Sequence, residues 1–215
     1  MLRKLALLSM LLLALRLQSA RSAQNDKVTC DTCPVAGIEP AASKPLTPAD
    51  ASHGCTTQTK HGFPVPDPKC TPGAVNPSVT LAVLKNPSFR TACVRNCATT
   101  EEDKNVTYTQ YGIPHPSSNT GTSQVCELDH LISLELGGAD TLDNIWPQCG
   151  PNHVTLAKRY FKQKDAVENY LAEQVRTGQI ELQKAQTGIA SDWTQFLGEA
   201  QAFCAKNPAK CKGGD

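Results

Sequence analysis

The chain has 215 residues, of which 40% are hydrophobic and 19% are charged, and it contains ten cysteines. Residues 1–22 hold four basic residues and no acid, which leaves 17 basic and 20 acidic residues and a net charge of −3 in the rest. Proteins that bind nucleic acid by general electrostatic attraction are normally basic, so this balance excludes that class and leaves only a local basic patch.

The N-terminus has the pattern of an export signal. Arg3 and Lys4 precede an apolar run from Leu5 to Leu15, and the small residues Ala20, Ser22 and Ala23 follow. A run this short does not span a bilayer, which disfavours a membrane anchor and predicts a signal peptide over residues 1–22, cleaved near Ala20–Ala23. We therefore expect a secreted or periplasmic protein with no membrane contact after cleavage.

All the cysteines follow this segment, and an even number behind an export signal predicts disulfides in an oxidising compartment. The sequence does not fix the pairing, although spacing makes Cys126 with Cys149, and Cys204 with Cys211, candidate pairs. Cys30 and Cys33 have the spacing of a redox pair, but no βαβ pattern precedes them, which favours ordinary disulfides.

The mature length suits one domain. Residues 23–77 carry most of the prolines and few apolar residues, and predict a Pro/Cys-rich extension that disulfides hold in order. The domain itself is predicted over residues 78–206, with a C-terminal tail over 207–215. Its first apolar run, Val79 to Leu84, is too short to distinguish a helix from a strand.

The middle of the chain predicts a β-hairpin. Val125 to Leu136 alternates like a strand that bends, Gly137 to Asp140 forms a turn, and Leu142 to Trp146 returns as a second strand. Trp146 and Trp193 are expected in the core, because aromatic residues supply much of the buried surface in a chain with few of them.

Helices are predicted after the hairpin. From about Asn152 to Arg176, apolar residues recur at offsets of four or seven, and Gly178 is expected to end this helix. A further helix is predicted from near Glu181 through Trp193, ending before Asn207-Pro208. The order strand, glycine bend, strand, helix predicts an α+β fold built on a ββα unit.

The chemical content is concentrated in Cys126-Glu-Leu-Asp-His130. Adjacent residues on a regular strand point to opposite faces, so Asp129 and His130 line one pocket only if the strand ends or bends there. The glycine bend permits this, and would make Asp129 an oxygen ligand for a divalent cation and His130 a general base. The alternative is a core histidine beside an aspartate that closes a turn.

Two later residues favour a catalytic site over a core histidine. Asn144 lies 14 residues after His130, where its side chain is expected to bridge the strands and hold the bend. His153 lies at the start of the predicted helix and is expected to face the hairpin.

Asp129-His130, Gly137-Gly138, Asn144 and His153 resemble the pattern of HNH, or His-Me finger, nucleases. The resemblance implies a ββα-metal motif with His130 as general base, Asp129 and His153 as ligands of one Mg²⁺ or Mn²⁺, and Asn144 as loop anchor. A wider likeness, from about Asp67 to Trp193, is to small exported bacterial proteins of HNH-nuclease type. It implies DNA as substrate more than RNA, 5′-phosphate products and little sequence specificity.

Some positions leave alternatives open. If His153 lies in a loop, Asn169 or Asp165 on the polar helix face replaces it as ligand, and Glu127 is a further candidate because it shares a strand face with Asp129. Asn152 stands where many HNH proteins have a second zinc-binding cysteine after Cys149, so no structural zinc is expected.

A basic cluster near the motif is the predicted contact for substrate phosphates, namely Lys158, Arg159, Lys162 and Lys164. A solvated helix face is the equal alternative. We thus expect a monomeric, exported, metal-dependent endonuclease with nucleic acid as substrate and no evident protein partner. The rival hypothesis is an inactive, disulfide-stabilised extracellular binding module that uses the ββα unit as scaffold.

Overall fold

The computed structural model describes residues 33–41, 54–96 and 104–212, so the predicted signal peptide lies outside the described residues. These residues form a mixed α+β fold with two antiparallel two-stranded sheets, which confirms the predicted class. The strands are β1 (Gln58–Lys60), β2 (Phe63–Val65), β3 (Cys126–His130) and β4 (Ile145–Cys149). The helices are α1 (Leu81–Leu84), α2 (Val106–Gln110), α3 (Tyr160–Thr177), α4 (Leu182–Asp192) and α5 (Leu197–Lys206).

The predicted hairpin is present with shifted ends. β3 pairs with β4 in a register that sets Cys126 opposite Cys149 and His130 opposite Ile145. β3 stops at His130, six residues before the predicted end, and a 3-10 turn forms over Leu134–Leu136. The reason is that the side chain of Asn144 takes the backbone N–H and C=O of Ile132, which a longer strand would have used in the ladder.

Helix α3 begins later than predicted. Residues 152–155 form a turn, a 3-10 turn follows over Leu156–Lys158, and the α-helix starts at Tyr160. His153 has a φ of +61°, which no helix accommodates, so the apolar spacing that begins at Leu156 does not continue a helix back to Asn152. The end is as predicted, since Gly178 adopts the left-handed conformation with a φ of +77° and terminates α3.

The closing helix is divided in two. α4 ends at Asp192, whose side chain accepts a hydrogen bond from the backbone N–H of Thr194, and a 3-10 turn over Trp193–Phe196 leads into α5. Asp192 has an extended backbone, with a φ of −166°, so the helix cannot continue through it. The predicted end before Asn207-Pro208 is confirmed.

The core forms around α3. Its residues Val167, Leu171 and Val175 are fully buried and belong to one apolar cluster with Ile189 and Trp193. A second, smaller cluster contains Tyr111, Leu131 and Trp146. Both tryptophans are completely buried, which confirms their predicted place in the core.

The described part of the predicted extension packs onto this core. The ring of Phe63 on β2 meets the rings of Trp193 at 5.4 Å and Tyr160 at 5.6 Å. The indole N–H of Trp193 donates to the carbonyl of Pro64 at 3.0 Å. Ile38, in the described segment 33–41, also lies in the main cluster, so these stretches are integral to the domain.

Disulfides join these parts. The pairs Cys126–Cys149 and Cys204–Cys211 are present as predicted, and the structure adds Cys33–Cys93 and Cys55–Cys70. Because Cys33 is bonded to Cys93, it does not form a redox pair with Cys30; Cys30 and Cys97 lie outside the described residues. Four disulfides indicate an oxidising compartment. None of the helices in the described ranges has both the length and the apolar character needed to cross a bilayer.

Candidate functional site

The site is built on the bend between β3 and β4, and Asn144 holds that bend closed. Its side-chain amide donates to the carbonyls of Ile132 at 2.9 Å and Ala139 at 2.8 Å. Its side-chain oxygen accepts from the backbone N–H of Ile132 at 2.9 Å. Asn144 is fully buried, so these bonds fix the loop that follows His130.

Gly138 allows the bend to close. A Cβ atom at this position would lie 1.8 Å from the carbonyl oxygen of Ile132, a distance that no side chain tolerates. The N–H of Gly138 instead donates to the carbonyl of Ser133 at 2.9 Å. The two backbone segments therefore touch directly, and Asp140, two residues later, is brought back toward the end of β3.

His130 contacts Asp140 at this point. Its Nε2 lies 2.8 Å from Oδ1 of Asp140, and the ring is 5% exposed. The ammonium of Lys104 also approaches Asp140, at 2.9 Å, and the backbone N–H of Asn96 donates to the other carboxylate oxygen at 2.7 Å. We call His130, Asp140 and Lys104 the histidine cluster.

Asp140 is ionised in this setting. Burial alone would raise its pKa, but the hydrogen bond and the charge of a protonated His130, followed by the hydrogen bonds from Lys104 and the backbone of Asn96, outweigh burial and hold the pKa of the carboxyl well below its ordinary value. A carboxylate bonded to one nitrogen of an imidazole fixes the orientation of the ring and its tautomer, and makes the other nitrogen a better proton acceptor.

Asp129 points to the other side of β3. Its Oδ2 accepts from the indole N–H of Trp146 at 2.9 Å and lies 2.9 Å from the ammonium of Lys164, which also donates to Oδ1 at 3.1 Å. Lys164 also donates to the backbone carbonyl of His130 at 2.6 Å and pairs with Glu168 one turn along α3. The carboxylate that was predicted to bind a cation is thus neutralised by an ammonium group.

Lys164 is completely buried, and its charge is retained there. Burial by itself would lower the pKa of the ammonium, but the charges of Asp129 and Glu168 outweigh burial and raise it. A divalent cation beside Asp129 would lie next to this buried positive charge, which is an unfavourable arrangement.

The two predicted ligands lie in different settings, since Asp129 is buried beside Lys164. His153 is exposed in the turn before α3, and not on the helix. Within the described residues no three His, Cys, Asp or Glu side chains are grouped to hold a metal ion. The residues that the resemblance implies as ligands therefore do not fit a cation in this arrangement.

Of the three alternative ligands, Asn169 is used within α3, whereas Glu127 and Asp165 lie close to each other. Asn169 donates its side-chain amide to the carbonyl of Asp165 at 2.7 Å, inside α3. Glu127 and Asp165 do come close, because the ammonium of Lys162 lies 3.6 Å from Glu127 and 2.6 Å from Asp165. Burial first, and then the negative charges of Asp165 and Asp129, raises the pKa of Glu127 to about 7.

The predicted phosphate-binding residues do not form one exposed surface. Lys164 is buried in its ion pairs, and Arg159 is buried and donates to the carbonyl of Pro151. Lys162 is held by Glu127 and Asp165, while Lys158 is exposed in the 3-10 turn before α3. The predicted basic cluster therefore serves mainly as structural contacts between α3 and its surroundings.

A cleft of about 490 Å³ opens beside β3. Its wall includes Arg95, Asn105, His115, Glu127 and Leu128. Arg95 adjoins Asn96, whose backbone binds Asp140, and Asn105 adjoins Lys104. The cleft therefore lies near the histidine cluster, although His130, Asp140 and Lys104 are not among the described residues of its wall.

Sequence reasoning missed Asp140 and Lys104. Asp140 had a local signal, since it directly follows the glycine bend, which returns the chain toward His130. Lys104 had none, because it is 36 residues from Asp140 and precedes a short helix in a polar stretch. The structural role of Lys164 was also missed, because its position on a helix does not reveal which carboxylates it will face.

Comparison with known proteins found no match: no family model, no curated protein and no solved structure resembles the chain at a significant level.

Proposed function

We propose that the protein is an exported endonuclease that hydrolyses phosphodiester bonds of nucleic acid, with DNA as the expected substrate. The observation that carries this proposal is the hydrogen bond of 2.8 Å between the imidazole of His130 and the carboxylate of Asp140, at the end of a strand and beside a cleft. A histidine oriented by a carboxylate is a common form of general base.

The histidine cluster supports a defined step. With Nε2 bonded to Asp140, Nδ1 of His130 accepts a proton from a water molecule, whose oxygen attacks the phosphorus. The bond to the 3′ oxygen breaks, and that oxygen takes a proton from solvent, which leaves a 5′-phosphate. The cleft near the cluster would hold the strand, and Arg95 and His115 on its wall are candidate contacts for phosphate.

The predicted Mg²⁺ or Mn²⁺ stays part of the proposal as a requirement to be tested. When bound, such an ion supplies charge stabilisation to a phosphoryl group. Asp129 is paired with Lys164 and His153 lies in an exposed turn, so the step above uses only His130 and Asp140 of this chain.

A second candidate function is an extracellular binding module without catalysis. The ion pair between Asp129 and Lys164 favours it, because the buried ammonium neutralises the carboxylate that would otherwise attract a cation. In this case the hairpin and α3 act as a scaffold, and His130 with Asp140 is a buried structural pair.

Plasmid nicking tests the proposal. Disulfide-intact protein is incubated with supercoiled DNA in Mg²⁺, in Mn²⁺ and in a chelator. We expect nicking by the wild type, and a loss of about 10²–10⁴-fold in His130→Ala and in His130→Asn, which retains a hydrogen-bond donor. His61→Ala is the matched control, because His61 is an exposed histidine on the β1–β2 turn, and it should nick like the wild type.

Thermal unfolding of each variant shows whether it is folded. A folded His130 variant with more than a tenth of wild-type activity would contradict the role of His130. A folded wild type that nicks under none of the conditions would support the binding module instead. Activity that survives the chelator would remove the cation from the proposal and leave His130 in it.

A further inference from the structure

A second polar cluster lies between the hairpin and α3. Glu127 and Asp129 are two residues apart on β3 and so point to the same face, toward α3. Two lysines of α3 each bridge two carboxylates: Lys162 joins Glu127 to Asp165, and Lys164 joins Asp129 to Glu168.

Carboxylates outnumber ammonium groups around Lys162. Glu127 and Asp165 share this one ammonium group in a largely buried region, and Asp129 lies two residues from Glu127 on the same strand face. Crowded carboxylates of this kind are typical of positions where a cation binds.

Gln148 gives an independent sign of a ligand. It is directly opposite Glu127 in the β3–β4 register, so the two side chains lie on the same face, a few ångströms apart. Gln148 is fully buried, and neither its side-chain oxygen nor its side-chain nitrogen has a hydrogen-bond partner in the described residues. A buried amide without partners is costly unless something binds it.

We propose that Glu127, Asp165 and Gln148 form a binding site for a hard divalent cation of the Mg²⁺ class. Carboxylate and amide oxygens are the ligands such ions prefer, and Mg²⁺ completes its shell with water when the protein supplies few ligands. The ammonium of Lys162 takes this position when the ion is absent. Its side chain is 33% exposed, so it can turn outward to admit the ion, and the cleft beside Glu127 provides a path.

Glu127 and Asp165 are also the alternative ligands that the sequence offers for the nuclease cation, but the site proposed here adds Gln148 and does not rest on the proposed function. Glu127 and His130 are three residues apart on β3, so their side chains lie on opposite faces of the strand. The cation would join both strands of the hairpin to α3 and stabilise the domain. Binding is therefore measured by stability and by affinity, neither of which depends on nuclease activity.

The first experiment measures cation binding to the full, disulfide-intact chain. MgCl₂ or MnCl₂ is titrated by calorimetry into protein freed of metal by a chelator, and thermal unfolding is followed with and without the ion. We expect saturable binding of one ion per chain and a midpoint of unfolding that rises with ion concentration. The absence of both effects in the wild type and in Lys162→Met overturns the proposal.

Two variants test the ligand set. Gln148→Leu should lose the cation-dependent rise in unfolding temperature while the metal-free protein remains as stable as the wild type or becomes more stable, since the unpartnered amide is gone. Lys162→Met should bind Mg²⁺ about 1.5- to 5-fold more tightly, because the competing ammonium is removed. Lys158→Met is the control, an exposed lysine near the start of α3, and should bind like the wild type. Wild-type affinity in Gln148→Leu, or weaker binding in Lys162→Met, overturns the proposed site.

Discussion

At the scale of the residue, the orientation of the His130 imidazole is set by a carboxylate that lies across the bend. Nε2 contacts the carboxylate of Asp140, and an ionised carboxylate can only accept a hydrogen bond. We therefore infer that the neutral ring carries its proton on Nε2 and that Nδ1 is the acceptor. Asp140 in turn contacts Lys104 and the backbone of Asn96. The carboxylate thus joins three segments of the chain, and its loss affects stability as well as any chemistry of the ring.

Asp140→Asn tests this role through the pH dependence of stability. The pKa of Asp140 lies below its ordinary value of 3.8, so the charged form stabilises the fold above that pH and the contribution is lost as the pH falls toward the lowered pKa. We expect the variant to be less stable than the wild type by about 3–5 kcal/mol at pH 6, because Lys104 loses a buried counter-ion. The difference should narrow below about pH 4.

Urea unfolding at pH 6, 4 and 2.5 gives this comparison. Asp143→Asn is the control, since Asp143 lies on the same bend but bonds to the hydroxyl of Thr141. Asp143→Asn should lower the free energy of unfolding at pH 6 by less than Asp140→Asn does. A constant difference between Asp140→Asn and the wild type across the whole range would show that the charge of Asp140 does not stabilise the fold.

At the scale of the element, the β3–β4 hairpin depends on close backbone contact in its bend. Asn144 replaces several hydrogen bonds of the ladder, and Gly138 allows the carbonyl of Ile132 to approach. The hairpin is attached to α3 by the buried ammonium of Lys164, which contacts Asp129 and the carbonyl of His130. The end of β3 is consequently fixed from both faces.

Gly138→Ala should disrupt this bend. The added Cβ would overlap the carbonyl of Ile132, which is backbone and cannot move without breaking the bonds of Asn144. We expect a loss of several kcal/mol, or no folded protein. Gly198→Ala is the control: Gly198 lies in α5 with free space around it, and the change should stabilise the protein by about 0.5–1 kcal/mol. Equal unfolding free energies for the two variants would contradict this account of the bend.

At the scale of the whole molecule, disulfides attach chain segments outside the helices and the hairpin to the domain. Cys33–Cys93 attaches the segment that carries Ile38 to the main core, across 60 residues of chain. Cys204–Cys211 closes a loop of only seven residues at the C-terminus. Because a disulfide restricts the unfolded chain more when its loop is longer, the two bonds should contribute unequally.

Paired serine substitutions measure that difference. We expect Cys33→Ser with Cys93→Ser to lower the free energy of unfolding by about 4 kcal/mol, and Cys204→Ser with Cys211→Ser to lower it by about 2 kcal/mol. Urea unfolding of both double variants and the wild type at one pH measures the two losses. A larger loss from the C-terminal pair would show that loop length does not govern the contribution of these bonds.

Much of the local structure was predictable. The hairpin, the end of α3 at Gly178, the two buried tryptophans and two of the disulfide pairs follow from alternation, glycine and spacing, all of which act over short stretches of chain. The start of α3 was not predictable, because the apolar spacing at Leu156 fits both a helix and the turns that replace it.

The sequence by itself determined the class of the fold, the position of the bend after His130 and the disulfide-rich character of the protein. Only the tertiary structure decided which carboxylate meets the imidazole, that Asp129 faces an ammonium on α3, and that Gln148 is buried with no side-chain partner among the described residues. Local patterns set backbone conformation, whereas the pairing of charges depends on which elements pack together, and that is fixed by the burial of the whole core.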